Sequence, residues 1–221
     1  MNQLKRDHKS VSIADQVFEQ LERDILSGKY SRGELLSELH LSSEMGVSRT
    51  PVREAIRRLQ QENIVQECGR GVMVLGISRE DMLDMYEIRI RLEGPAARRA
   101  AENMSDEALR DMKETVELQE FYVSKEGDEY STKLYELDSR FHELLYQGSG
   151  SRMIAEVLCS VHRKMAKYRV ASLSRQRRAA LSIGEHKEIY MALAARDGDR
   201  AEEVAQRHTI NARKSMIDMD N

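Results

Sequence analysis

From Ile13 the apolar residues Ile13, Val17, Leu21 and Ile25 recur every four positions and stop before Gly28. That spacing stacks side chains on one helical face, and a glycine after it favours a left-handed stop. "GKYSRGELLSE" then reads as a connection bracketed by Gly28 and Gly33. A short helix is predicted over 37–45, ended by Gly46, and a third from near Ser48. The Ser48 hydroxyl is placed to cap its first turn, where Pro51 is tolerated because N–H groups there lack intrahelical partners. Asn63 suits a left-handed cap at its end. The period then changes: "IVQE" and "VMVL" are short β-prone runs on either side of "CGRG", which predicts a hairpin with glycines at the turn.

Helix, short helix, helix, hairpin is the outline of a winged helix-turn-helix over residues 13–76, preceded by a flexible arm at 1–12. "GIS" at 76–78 marks a junction. Beyond it, over 77–221, only helix-type pattern occurs, with helices predicted at 79–102, 106–125, 129–147, 151–172, 179–196 and 199–217. Ser78, Ser105 and Asp199 are suitable N-caps. The short connections predict an antiparallel all-helical bundle of six to seven helices, so the fold class is mainly α.

Composition narrows the function. A hydrophobic fraction of 40% with 33% charged residues is that of a soluble globular protein. Two prolines and no tryptophan argue against a β-sandwich. No apolar run is long enough to span a membrane, and the charged start "MNQLKRDHKS" is unlike a secretory signal, so the expected location is the cytoplasm. Cys68 and Cys159 lack metal or redox spacing and read as reduced thiols. A net charge of −3 excludes a protein that coats nucleic acid everywhere, but permits one basic face.

That face is the segment "VSRTPVREAIRRL", which holds Arg49, Arg53, Arg57 and Arg58 against Glu54. At about 100° per residue, Arg49, Arg53 and Arg57 fall on one side of a helix, and Val52, Ala55, Ile56 and Leu59 on an adjoining arc. Arginine suits bidentate contact with guanine or phosphate, and Ser48 and Thr50 stand at a helix N-terminus that favours a phosphate. Arg70, between Gly69 and Gly71, is placed to reach the DNA backbone or minor groove. A solvated charged face is the alternative for the helix alone; the preceding short helix and the basic-tipped hairpin favour DNA.

Residues 13–75 resemble the winged helix-turn-helix of the GntR family of bacterial transcription regulators, through "GELLSELHLSSEMGVSRTPVREAIRRLQQENIVQECGRGVMV". The resemblance implies base contacts from Arg49 and Arg53, phosphate contacts from Ser48 and Thr50, and a wing contact near Gly69–Gly71. Pro51 and Arg57 belong to the same DNA-facing segment. Leu39 stands where some members place a DNA-contacting arginine, and Asn63 replaces a more usual glycine.

The second region contributes "LDSRFHELL", in which Asp138 and His142 share a helical face at i and i+4. His186 and His208 lie on two later predicted helices. Four O/N ligands from three helices can converge inside a bundle and suit a divalent transition metal, zinc foremost, with nickel, manganese or iron as alternatives. Hydrogen-bonded core histidines are the other reading. His8, His40 and His162 lack comparable partners and read as structural or exposed. Glu143 and Glu185 neighbour the candidate ligands, and each is expected to point about 100° away from its neighbour's face.

Residues 78–217 resemble the all-helical FCD domain of the FadR-like branch of the family, in "YEIRIRLEGPAARRAA", "LDSRFHELL", "EHKEIYMALAARDGDRAEEV" and the late "RH". The resemblance implies a metal site at Asp138, His142, His186 and His208, an effector-carboxylate contact from Arg89, and a further pocket position at Asn211. It also implies a homodimer on a pseudo-palindromic double-stranded operator; a repressor released by a small organic acid is the expected mode, with activation or co-repression by the ligand as alternatives. An enzyme tethered to DNA, or a metal that only braces the bundle, are the competing expectations.

Overall fold

The computed structural model describes residues 12–69, 71–125 and 128–218. The expected arm therefore lies outside the described residues, except for Ser12, whose side chain accepts from Asp15 N and caps the first helix. The chain divides after Ser78 into two compact units, two residues beyond the expected boundary.

In the first unit, α1 (Ile13–Ser27) buries Val17, Leu21 and Ile25 as its spacing predicts, while Ile13, at the helix start, stays exposed. Gly28 ends it at φ 88°. Helices α2 (Glu38–Met45) and α3 (Arg49–Gln61) are separated by Gly46 at φ 65°, and Asn63 takes the left-handed conformation after α3 at φ 55°. Val52, Ala55, Ile56 and Leu59 bury the apolar arc of α3 against the core that includes Leu21, Leu41 and Ile64. Ser48 has the extended backbone of an N-cap, but its hydroxyl makes no capping bond, contrary to expectation.

The hairpin is β2 (Val65–Cys68) with β3 (Gly71–Val74), in register Val65↔Val74 and Glu67↔Val72. A third strand, β1 (Leu35–Leu36), pairs with the other edge of β3 and gives the order β1-β3-β2. Two residues are too few to show an alternating pattern, so this strand lies within the stretch expected to be a connection.

The second unit contains α4 (Arg79–Asn103), α5 (Asp106–Tyr122), α6 (Asp128–Gly148), α7 (Arg152–Lys164), α8 (Ala166–Leu173), α9 (Gln176–Ala194) and α10 (Gly198–Ile217). Small residues let α4 and α10 approach closely: Ala97, Ala100 and Ala101 are buried with Ala201, Val204 and Ala205. The helix expected over 151–172 is two helices, broken at Met165 with ψ 7°. Leu158, Val161, Met165 and Leu173 are buried on both sides of the break, so the apolar period gives no sign of it. The last helix is capped by Asp197, which accepts from Arg200 N at 3.0 Å, and not by Asp199, which pairs with Arg98 instead. Either aspartate of "DGD" satisfies the sequence rule for a cap.

Gly71 has φ 150°, and a Cβ there would lie 2.3 Å from the Leu36 carbonyl oxygen. Gly71→Ala is therefore expected to separate β1 from β3 and destabilise the first unit by about 1–3 kcal/mol. Urea unfolding of the full chain checks this, and an unchanged first-unit transition contradicts it.

Candidate nucleic-acid interface and metal centre

Helix α3 turns its arginines two ways. Arg49, Arg53 and Arg57 are exposed, with Ser48 and Thr50 exposed at the helix start and Pro51 half-buried. Arg58 faces the core side, pairing with Asp15 at 2.7 Å and lying 3.9 Å over the Phe18 ring, so it braces α1.

The exposed arginines are already engaged. Glu38, at the start of α2, takes Arg53 in a fork, Nε to Oε1 and Nη2 to Oε2, both at 2.8 Å. Arg49 Nη2 donates to the same Oε2 at 3.1 Å. The Arg53 fork, with Arg49 beside it, holds the Glu38 carboxyl down to about 2. These are the N–H groups that a guanine edge or a phosphate would need, and here Glu38 occupies them. The sequence reading missed Glu38, which lies 15 positions from Arg53. A groove between α2, α3 and the hairpin gathers Glu38, Leu39, Arg49, Arg53, Arg57 and Gly69. Leu39, exposed at 68%, brings an apolar side chain where a cation was sought. Gly69 is unobstructed, whereas Gly71 is committed to its close approach to Leu36. Arg70 lies outside the described residues.

In the second unit α6 carries Asp138 and His142 one turn apart, α9 carries His186 and α10 carries His208, all buried. Each of these imidazoles has its Nδ1 against an acceptor. His142 Nδ1 lies 2.9 Å from the Asp138 carbonyl, His186 Nδ1 3.0 Å from Gln119 Oε1, and His208 Nδ1 2.8 Å from Glu185 Oε2. A proton on Nδ1 satisfies each contact and leaves the Nε2 lone pair free. His142 Nε2 and His186 Nε2 are buried without any hydrogen-bond partner. Phe141 stacks on the His186 ring at 4.1 Å and fixes its plane.

Ligand atoms of His142, His186 and His208 all lie within 4.8 Å of one another. Asp138 groups in the same way with His142 and His162, and its Oδ1 lies 3.8 Å from His186 Nε2. The four expected ligands thus surround one region, but His162, set aside in the sequence reading, stands there too. Nothing at helical spacing from His162 advertises this, because its neighbours in the cluster come from other helices.

Burial alone would raise the Asp138 carboxyl, but Arg169 and the facing histidines hold it well below the usual range. Arg169, on α8, donates through Nε at 2.9 Å and through Nη2 to Asp138 Oδ2, leaving Oδ1 toward His186. Orphaned imidazole nitrogens beside an ionised carboxylate are a donor set that fits a divalent transition metal.

Arg89 is 3% exposed and is paired through Nε with Glu93 at 2.7 Å, yet it lines the same cavity as Asp138, His142 and His208. Asn211 Nδ2 donates to Glu185 Oε1 at 2.8 Å. Glu185 reaches across to α10, where it accepts from His208 Nδ1, and it is held in turn by Arg178 at 3.4 Å. Glu143 stays on the surface with Gln147 and Arg140.

Residues 84–211 match the family described as the FCD domain, and residues 13–74 match bacterial regulatory proteins, gntR family. The chain is 28% identical over 198 residues to the HTH-type transcriptional repressor RspR of Escherichia coli (strain K12), covering 89% of this chain and 85% of that protein. Identity to the gluconate operon transcriptional repressor of Bacillus licheniformis is 31% over 127 residues, 57% of this chain and 51% of that one. The solved structure of E. coli McbR/YncC has the same fold, with a TM-score of 0.80 at 22% identity, over 96% of this chain and 100% of that one.

Burial pushes His142 down to about 4, and His162 and His186 well below their ordinary value. These groups are neutral when folded and titrate near 6.5 when unfolded, so below about pH 6.5 the unfolded chain binds more protons. Their contribution is complete above about pH 6.5 and is lost as pH falls toward 4. The metal-free chain should show a melting temperature that declines across that interval; a flat profile contradicts neutral buried imidazoles.

Proposed function

The chain belongs to the GntR family of bacterial transcriptional regulators and carries an FCD domain, and on that footing we propose that it is a repressor whose hold on its operator is released by a small organic acid bound at a metal centre. The observation that carries the sensing part is the set of buried, unpartnered Nε2 atoms around Asp138. Asp138, His142, His186 and His208 would hold the ion, zinc foremost, with nickel, manganese or iron as alternatives. When bound, such an ion supplies Lewis-acid positions for a carboxylate.

Arg49 and Arg53 read base edges once DNA displaces Glu38, Arg57 adds charge on the same side, and Ser48 and Thr50 meet phosphate at the start of α3. The uncapped Ser48 hydroxyl supports this, since no local bond consumes it. The double-stranded operator is pseudo-palindromic and the protein a homodimer, because two-fold symmetry lets two small modules read two half-sites. Exposed Met153 and Val157, one turn apart on α7, offer an apolar face to a second copy.

The cavity beside the cluster measures about 40 Å³, well short of the usual ligand pocket. A small acid therefore enters only if the wall formed by Arg169, Leu173 and Arg178 moves. That requirement couples ligand binding to a change of shape, which a sensor needs. The same tight cavity is what favours the second reading, an ion that only braces the bundle. As a free general base for an enzyme, Glu185 is unsuitable, being engaged by His208, Asn211 and Arg178.

Operator DNA selected from random sequence provides the probe. Arg53→Ala should weaken operator binding by about 1–3 kcal/mol, roughly fivefold to 150-fold, at fixed salt. Unchanged affinity removes Arg53 as a reader. Zinc-loaded protein is then screened by thermal shift against small carboxylates, and each hit is added to the operator assay. Loss of operator binding with a stabilising acid supports the sensor, whereas stabilisation by zinc with no acid effect supports the brace. His208→Ala should lose stoichiometric zinc by elemental analysis; full metal content in that variant contradicts the site.

A further inference from the structure

We propose that His162 is a fifth protein ligand of this centre, so that the ion is held by four imidazoles and one carboxylate. The inference rests on the metal reading above and extends it to a residue that the four-ligand pattern omits. His162 is 5% exposed, and its Nε2 is buried without a hydrogen-bond partner. A buried polar nitrogen left alone costs free energy, and here three such nitrogens, on His142, His162 and His186, lie in one cluster.

The positions agree with a ligand role. His162 Nε2 is 3.8 Å from Asp138 Oδ2, too far for a hydrogen bond, and its ring centroid is 4.2 Å from that of His142. Its ligand atom and those of Asp138 and His142 lie within 4.8 Å of one another, the limit that also contains the His142, His186 and His208 set. His142 is common to both sets, so one ion beside it can reach donors from each. Arg169 Nη1 donates to the His162 carbonyl at 3.4 Å and ties the end of α7 to α8.

The placement has a structural consequence. His162 sits in the last turn of α7, just before the break at Met165, whereas the other ligands come from α6, α9 and α10. A bond from His162 fastens the end of α7, and with it the start of α8, to the ligand helices.

The test uses the full chain, stripped of metal and labelled with 15N-histidine. Addition of Zn2+ should shift the His162 Nε2 resonance together with those of His142, His186 and His208. Competition with a chromophoric chelator should show zinc affinity at least about tenfold lower in His162→Phe, which keeps an aromatic ring without the donor. Metal-free melting of that variant should match the parent; if it does not fold, His162→Gln and the parent spectrum still decide. A spectrum in which the other three imidazoles shift and His162 does not overturns the fifth ligand while leaving the metal reading intact. A parent chain that binds no zinc overturns both.

Discussion

Three imidazoles with their Nδ1 atoms already against acceptors are the constraint on which the second unit depends. Gln119 from α5, the Asp138 carbonyl from α6 and Glu185 from α9 each take one ring nitrogen, and Nε2 of both His142 and His186 is buried with no hydrogen-bond partner. Burying such groups without partners costs about 1–3 kcal/mol apiece. The fold sustains this because the same helices are locked by an extensive apolar core, from Phe141 stacked on His186 to the alanine seam between α4 and α10. An interior that tolerates orphaned lone pairs around an ionised carboxylate is prepared for a cation.

The first unit solves a different electrostatic problem. Arg49 and Arg53 are held by Glu38, so on the proposed reading association with DNA would exchange one anionic partner for another. An arginine fork on a carboxylate has the same shape as a fork on a guanine edge or phosphate, and the side chains are thus pre-shaped for the contact. Arg58 shows how one helix divides its charge: its guanidinium is spent on Asp15 and Phe18, whereas Arg53 and Arg57 are exposed.

Much of this was legible in the chain. The four-residue period of α1, the glycine stops, and the arc of Val52, Ala55, Ile56 and Leu59 follow from local geometry, and the structure has them. Asp138 and His142 are a pair at helical spacing, so their shared face was visible too. What local spacing could not supply was everything fixed by packing between elements. His162 and Glu38 meet their partners only after helices fold together. Glu185 was expected to turn away from His186, and its backbone direction agrees, but a long side chain reached the next helix. Asn211 followed Glu185 for the same reason. The break at Met165 and the two-residue strand at Leu35 leave no periodic trace.

The central claim is that buried, proton-free imidazole nitrogens around Asp138 exist to receive a metal ion. Crystals of the full chain grown with zinc and measured at the zinc absorption edge test it most directly. The account predicts one anomalous peak enclosed by Asp138, His142, His186 and His208. Anomalous signal only at the molecular surface, or none, would contradict it.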